Sequence, residues 1–216
     1  MGPVENKFFQ KERAMKILVI DDSPVHQAAA KKQLTEHDLA VVGSYDEAVR
    51  LLEPHISASG RWDRGECPKH GFDVVLTDLL MPASGMLQGE GRKFVGQEMP
   101  VGIFLALLAA KNGAKHVAVF TDSDHHDHPA SACFDPFNEG KYMSVALPVA
   151  GAQVILVNNP NLVQNDTSIQ PEEVEKERLD GSKYKLQIYP RIKRWDLALR
   201  NLLNPPQMPE EEVGIA

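Results

Sequence analysis

The stretch Phe72-Asp-Val-Val-Leu-Thr-Asp-Leu-Leu-Met-Pro82 carries a mostly apolar run, Phe72 to Thr77, that stops on Asp78. A run without polar alternation suits a strand covered on both faces, as in a parallel sheet. Asp78 then stands at the strand's carboxyl end, where α/β sheets bind their ligands. The same pattern occurs upstream in Lys16-Ile-Leu-Val-Ile-Asp-Asp-Ser-Pro24. Here Lys16 to Ile20 is expected as a strand that delivers Asp21 and Asp22. Ser23 as cap and Pro24 in the first turn predict a helix from Val25 to His37.

Working outward, Leu39 to Val42 is expected as a second strand. Asp46 to Leu52 is expected as a helix, capped by Ser44 or Asp46 and stopped by Pro54. Val101 to Lys111 is an apolar helix that Asn112-Gly113 ends. His116 to Phe120 is a fourth strand ending in Thr121, and Val154 to Val157 a fifth ending in Asn158-Asn159-Pro160. Alternating strands and helices with buried strands predict an α/β fold with a doubly wound, five-stranded parallel sheet. Asp21, Asp22, Asp78 and Thr121 should then converge on one pocket. Each acid taken singly also suits a helix cap or a turn, Asp78 least of all. Carboxylates so gathered repel one another unless a cation neutralises them. Oxygen-only ligands suit Mg²⁺, which gives Asp21, Asp22 and Asp78 as its expected ligands.

The rest of the chain is less regular. Pro171 to Leu179 suggests a short charged helix ended by Gly181, and Lys183 to Tyr189 an exposed or edge strand. Arg194 to Leu203, with Trp195, Leu199, Leu202 and Leu203 at helical spacing, is the expected closing helix. The expected organisation is a flexible leader over 1–14, one domain over 15–204 and a disordered tail over 205–216. Gly- and Pro-rich insertions fall near 54–71, 82–100 and 161–192. The 216 residues carry a formal net charge of -7, which argues against broad binding to nucleic acid or acidic membranes. Arg191, Lys193 and Arg194 form a local basic run that reads as a solvated helix start. Cys67 and Cys133 are far apart and suggest neither a disulfide framework nor a thiolate site. No apolar stretch is long enough for a membrane span, and the reading is cytoplasmic.

On these residues the chain resembles the response-regulator receiver domains of two-component systems, the CheY-like domains of flavodoxin-like fold. Asp21-Asp22 after the first strand resembles the family's paired acid, and Asp73 to Pro82 its third strand, with Asp78 in the phosphoacceptor position. Val119-Phe120-Thr121 resembles the fourth strand and its switch Thr, and Gly151 to Val157 the approach to the fifth. The resemblance implies a phosphoprotein of phosphorelay signal transduction that binds Mg²⁺ and signals through protein partners. A histidine kinase or phosphotransfer protein would supply the phosphoryl group, a downstream protein would receive the signal, and no nucleic acid would be contacted directly.

The chain departs from the family after the fifth strand. Where receivers carry a Lys before a Pro, Asn158-Asn159-Pro160 stands here, so no amine is supplied locally. Lys193 or Lys141 would have to reach in from elsewhere. A second cluster, Asp122-Ser-Asp124-His125-His126-Asp127-His128, follows Thr121 on the pocket rim. Its Asp124, His125, His126 and His128 are candidate Zn²⁺ or Mn²⁺ ligands; a polar His-rich turn is also commonly just solvated. Two other functions remain open. One is a metal-dependent phosphatase or hydrolase using Asp21, Asp22, Asp78 and the His125–His128 loop. Hydrolases of the haloacid dehalogenase type place two acids one residue apart, however, and Ser23 holds that second position. The other is a phosphorylation-independent scaffold.

Overall fold

The computed structural model describes residues 14–53, 71–123, 126, 128–139, 143–144, 146–158, 160–178 and 180–204. The leader apart from Ala14, the 54–71 insertion apart from Gly71, and the tail all lie outside the described residues. So do Asp124, His125, Asp127, Lys141 and Asn159.

The chain begins with β1 (Lys16–Ile20), α1 (Pro24–Gln33), β2 (Asp38–Val42), α2 (Tyr45–Leu52) and β3 (Val74–Thr77). Two short pieces, β4 (Met81–Pro82) and β5 (Glu98–Met99), pair with each other before α3 (Val101–Lys111) and β6 (His116–Phe120). Then come α4 (Pro129–Ala132), the short pair β7 (Asn138–Glu139) and β8 (Met143–Ser144), β9 (Ala146–Val149) and β10 (Ala152–Val157). The chain closes with β11 (Val163–Asn165), β12 (Glu172–Glu177), β13 (Lys183–Ile188), β14 (Arg191–Lys193) and α5 (Trp195–Leu203).

The central sheet has six strands, in the order β2-β1-β3-β6-β10-β9. Five run parallel, and β9 joins the β10 edge antiparallel. The expectation of five strands is therefore corrected to six. The extra strand closes a two-residue turn at Ala150 (φ 50°) and Gly151 (φ 84°), the paired left-handed conformation that suits tight hairpins. Pro148 on β9 fits an outer strand, since a proline cannot donate to a ladder.

The buried strands sort their side chains by alternation. Leu18, Ile20, Val75, Val117, Val119, Val154 and Leu156 pack toward α2 and α3. Ile17, Val19, Val74, Leu76, Ala118, Phe120, Ile155 and Val157 pack toward α1 and α5. Covering both faces is what permits uninterrupted apolar strands. Trp195 is fully buried there, edge-on to Phe120 with ring centroids 5.4 Å apart. No helix among the described residues is long and apolar enough to cross a membrane.

The segment expected as a helix over Pro171 to Leu179 is a strand. β12 pairs antiparallel with β13, with Val174 opposite Leu186. Glu and Lys favour helices, but Val174 is the sole apolar residue of Glu172–Glu177 and offers no helical face to bury. The hairpin instead places Glu175 and Glu173 2.8 Å from Lys183 and Lys185 on diagonal positions, the sheet counterpart of helical ion pairs.

Candidate functional site

Adjacent strands place their ends side by side, so the order β1-β3-β6 gathers the residues that follow each. Asp21 and Asp22 follow β1, Asp78 follows β3, and Thr121 and Asp122 follow β6. The Asp78 N–H donates to Ile20 O at 2.7 Å and the Thr121 N–H to Val157 O at 3.0 Å, so the ladders continue into the site. Asp21, Asp22 and Asp78 each offer a carboxylate oxygen within 4.8 Å of the others, a group that could hold a metal ion. Asp21 and Asp78 are buried and Asp22 half-buried. Thr121 is buried, and its Oγ1 accepts from the Ser123 N–H at 3.1 Å.

The cation is Lys193. Its side chain is fully buried, with Nζ 2.7 Å from Asp78 Oδ1, 2.8 Å from Asp21 Oδ2 and 3.6 Å from Asp122 Oδ1. Reading the Arg191–Arg194 run as a solvated helix start is therefore wrong for Lys193. The 161–192 insertion leaves β10, runs out along β11 and returns along β14, which pairs with β11 so that Lys193 lies opposite Val163. The amine missing at 158–159 thus arrives on a neighbouring strand. Its backbone is tied to α1: the Lys193 N–H donates to His26 Nδ1 at 3.4 Å, and Gln33 Nε2 donates to Lys193 O at 3.1 Å. The Trp195 indole donates to His26 O at 3.0 Å. The Phe120 and Trp195 rings lie 5.8 and 5.5 Å from the ammonium, within cation–π range.

Burial alone would strip the proton from Lys193, but Asp78, Asp21 and Asp122 overcome it and hold the amine above its ordinary value. It stays charged. Asp78 goes the other way: burial and the charge of Asp21 outweigh Lys193 and push its carboxyl up to about 6. Burial also raises Asp22, with Asp21 adding to it. Asp122 is pushed up by burial yet pulled down further by the His26 hydrogen bond and by Lys193, ending below the usual carboxylate range. Among the described residues, a single ammonium stands among four carboxylates, which leaves the pocket strongly negative.

Asp78 therefore costs the metal-free fold stability. Its acid rises from an ordinary 3.8 to about 6, so the folded state binds the proton more tightly than the unfolded chain. Stability then increases as pH falls through about 6 toward about 4, and above that window the full penalty applies. Asp78→Asn keeps an oxygen to accept from Leu79 N (2.7 Å) and Lys193. In chelator at pH 7 it is expected to stabilise the protein by about 2–3 kcal/mol. Thermal unfolding checks this; an unchanged or lower Tm would contradict it.

Of the His-rich loop's candidate ligands, Asp124 and His125 lie outside the described residues. His128 caps α4, its Nδ1 accepting from the Ala130 N–H at 3.1 Å. Among the described residues, the metal-compatible group of Asp21, Asp22 and Asp78 does not include His126 or His128. Asp122 turns inward, 3.3 Å from His26 Nε2. Sequence reasoning missed His26, which looked like one more polar residue of α1, and Asp122 in this role. The only available signal was that Asp122 directly follows a strand-end Thr. Compared with protein-family models, curated proteins and solved structures, the chain gives no match.

Proposed function

We propose that the chain is an atypical receiver domain in which Asp78 accepts a phosphoryl group and Lys193 supplies the cation beside it. The observation that carries this reading is the buried ammonium, 2.7 Å from Asp78 and 2.8 Å from Asp21. The strand order supports it, since β1, β3 and β6 bring Asp21, Asp78 and Thr121 to one end of the sheet.

Lys193 and the Leu79 N–H both engage Oδ1 of Asp78, and its side chain remains 10% open to solvent. Oδ2 is then the attacking oxygen. It forms the bond to phosphorus while the donor's bond to phosphorus breaks, and the leaving group departs with that electron pair. Lys193 swings from carboxylate to phosphoryl oxygen, a charge-assisted bond that grows as charge shifts onto the transferred group. The Thr121 hydroxyl hydrogen-bonds another phosphoryl oxygen and gives up the Ser123 N–H, which moves the loop after β6. Asp21, Asp22 and Asp78 offer only oxygen ligands, which fits Mg²⁺. Bound there, that ion supplies charge neutralisation to the phosphoryl oxygens. The donor in this reading is a histidine kinase or phosphotransfer protein, and the output passes through a protein partner.

The test is incubation with a small phosphodonor and Mg²⁺, read by intact mass. The expected result is a gain of one phosphoryl group that needs Mg²⁺ and is lost in Asp78→Asn. Steady release of phosphate with no adduct would favour the hydrolase reading instead. No adduct and no release would leave the scaffold reading.

A further inference from the structure

Asp122 has no part in the transfer just described, yet it is fixed in the pocket from both sides. Its Oδ1 lies 3.6 Å from Lys193 Nζ and its Oδ2 3.3 Å from His26 Nε2. His26 Nδ1 accepts from the Lys193 N–H, so the ring proton sits on Nε2 and donates to Asp122. In this tautomer the imidazole holds the Asp122 carboxylate in place through Nε2. The side chain of Asp122 is 32% exposed, against 0% for Asp21 and 10% for Asp78. Among the acids that touch Lys193, Asp122 is therefore the solvent-side one, which an approaching donor meets.

Charge then decides what enters. Asp21, Asp22, Asp78 and Asp122 oppose one ammonium, and a divalent cation still leaves the pocket net negative. We propose that Asp122 is a specificity-determining residue that discriminates against doubly anionic phosphodonors. It thereby favours donors whose leaving group carries a positive charge, the N-phosphoryl class to which a protonated phosphohistidine belongs. This inference rests on Asp78 being the phosphoacceptor. Both kinds of transfer balance. With acetyl phosphate the Asp78 oxygen bonds to phosphorus, the P–O bond breaks and acetate leaves with the electron pair. With phosphoramidate the P–N bond breaks and ammonia leaves, the nitrogen having carried its extra proton from the start.

The experiment compares these two donors on the Mg²⁺-loaded full chain at neutral pH, in wild type and in Asp122→Asn. An Asn amide oxygen still accepts from His26 Nε2, so the substitution removes charge and little else. Electrostatic energy scales with the donor's charge. Asp122→Asn should raise the acetyl phosphate rate on the order of tenfold and the phosphoramidate rate roughly threefold. In wild type, raising the ionic strength should speed the doubly anionic donor more than the singly anionic one, because salt screens the rim. Equal factors for both donors, or slower labelling of both in Asp122→Asn, would overturn the inference and leave Asp122 as a support for Lys193. Labelling by neither donor in either protein would instead overturn the phosphoacceptor reading, and this inference with it.

Discussion

Lys193→Met is expected to reduce phosphoryl labelling of the chain by a factor of about 100 or more, on the scale of removing one preorganised charge from a transfer site. The same substitution should destabilise the metal-free protein by about 3–5 kcal/mol, the usual cost of leaving buried charges without their partner. Both effects follow from one geometry. Nζ is fully buried and within 2.8 Å of two carboxylates, so nothing from solvent replaces it. Methionine fills much the same volume, which separates lost charge from lost packing against Phe120 and Trp195. Added Mg²⁺ should restore part of the stability by neutralising the same acids, and little of the labelling. Labelling at the wild-type rate would show that another cation acts. An Asn158→Lys substitution is expected to add little, because Lys193 already occupies the place.

Gly102→Ala should be the most damaging conservative change in the chain. Gly102 lies in the first turn of α3, and its N–H donates to Leu79 O at 3.1 Å. A Cβ there would fall 1.8 Å from the carbonyl oxygen of Asp78, 2.8 Å from its carbon and 2.9 Å from the Leu79 Cα. All three atoms are backbone, so no side chain can turn aside. The helix must retreat from the end of β3, breaking that hydrogen bond and displacing Asp78. The expected loss is about 3 kcal/mol or more, at the upper end for overpacking, with slower labelling of whatever remains folded. Gly91→Ala is the control. Its Cβ would meet Leu87 at an ordinary 3.6 Å, so its effect should stay within about 0.5 kcal/mol. Denaturant midpoints compare the two, and similar midpoints would mean that α3 does not pack this closely against the site.

Much of this arrangement was legible in the sequence because buried parallel strands write themselves as apolar runs. β1, α3 and β6 fall where those runs and their breakers placed them, and the two strands end on residues of the pocket. Local pattern has a limited reach, though. The sixth strand, β9, is apolar throughout, but its Pro148 argues against a central strand and its place at the sheet edge depends on pairing with β10. The β12 segment is rich in helix-forming Glu and Lys, and only its pairing with β13 across a Gly181 turn makes it a strand. Lys193 sits 115 residues beyond Asp78 in the chain, within a basic run that carries no apolar signature. Its burial depends on β11 and β14 pairing, a long-range event that a sequence window cannot contain. The same holds for the contact of Asp122 with His26, 96 residues apart.

The pocket's chemistry is tested most directly by trapping the phosphorylated protein with borohydride, which reduces an aspartyl phosphate to homoserine, and mapping the modified residue by peptide mass spectrometry. The expected result, after incubation with phosphoramidate and Mg²⁺, is conversion of Asp78 alone, abolished by Lys193→Met. Conversion at Asp21, Asp22 or Asp122 with Asp78 intact, or no conversion under any donor, would contradict it.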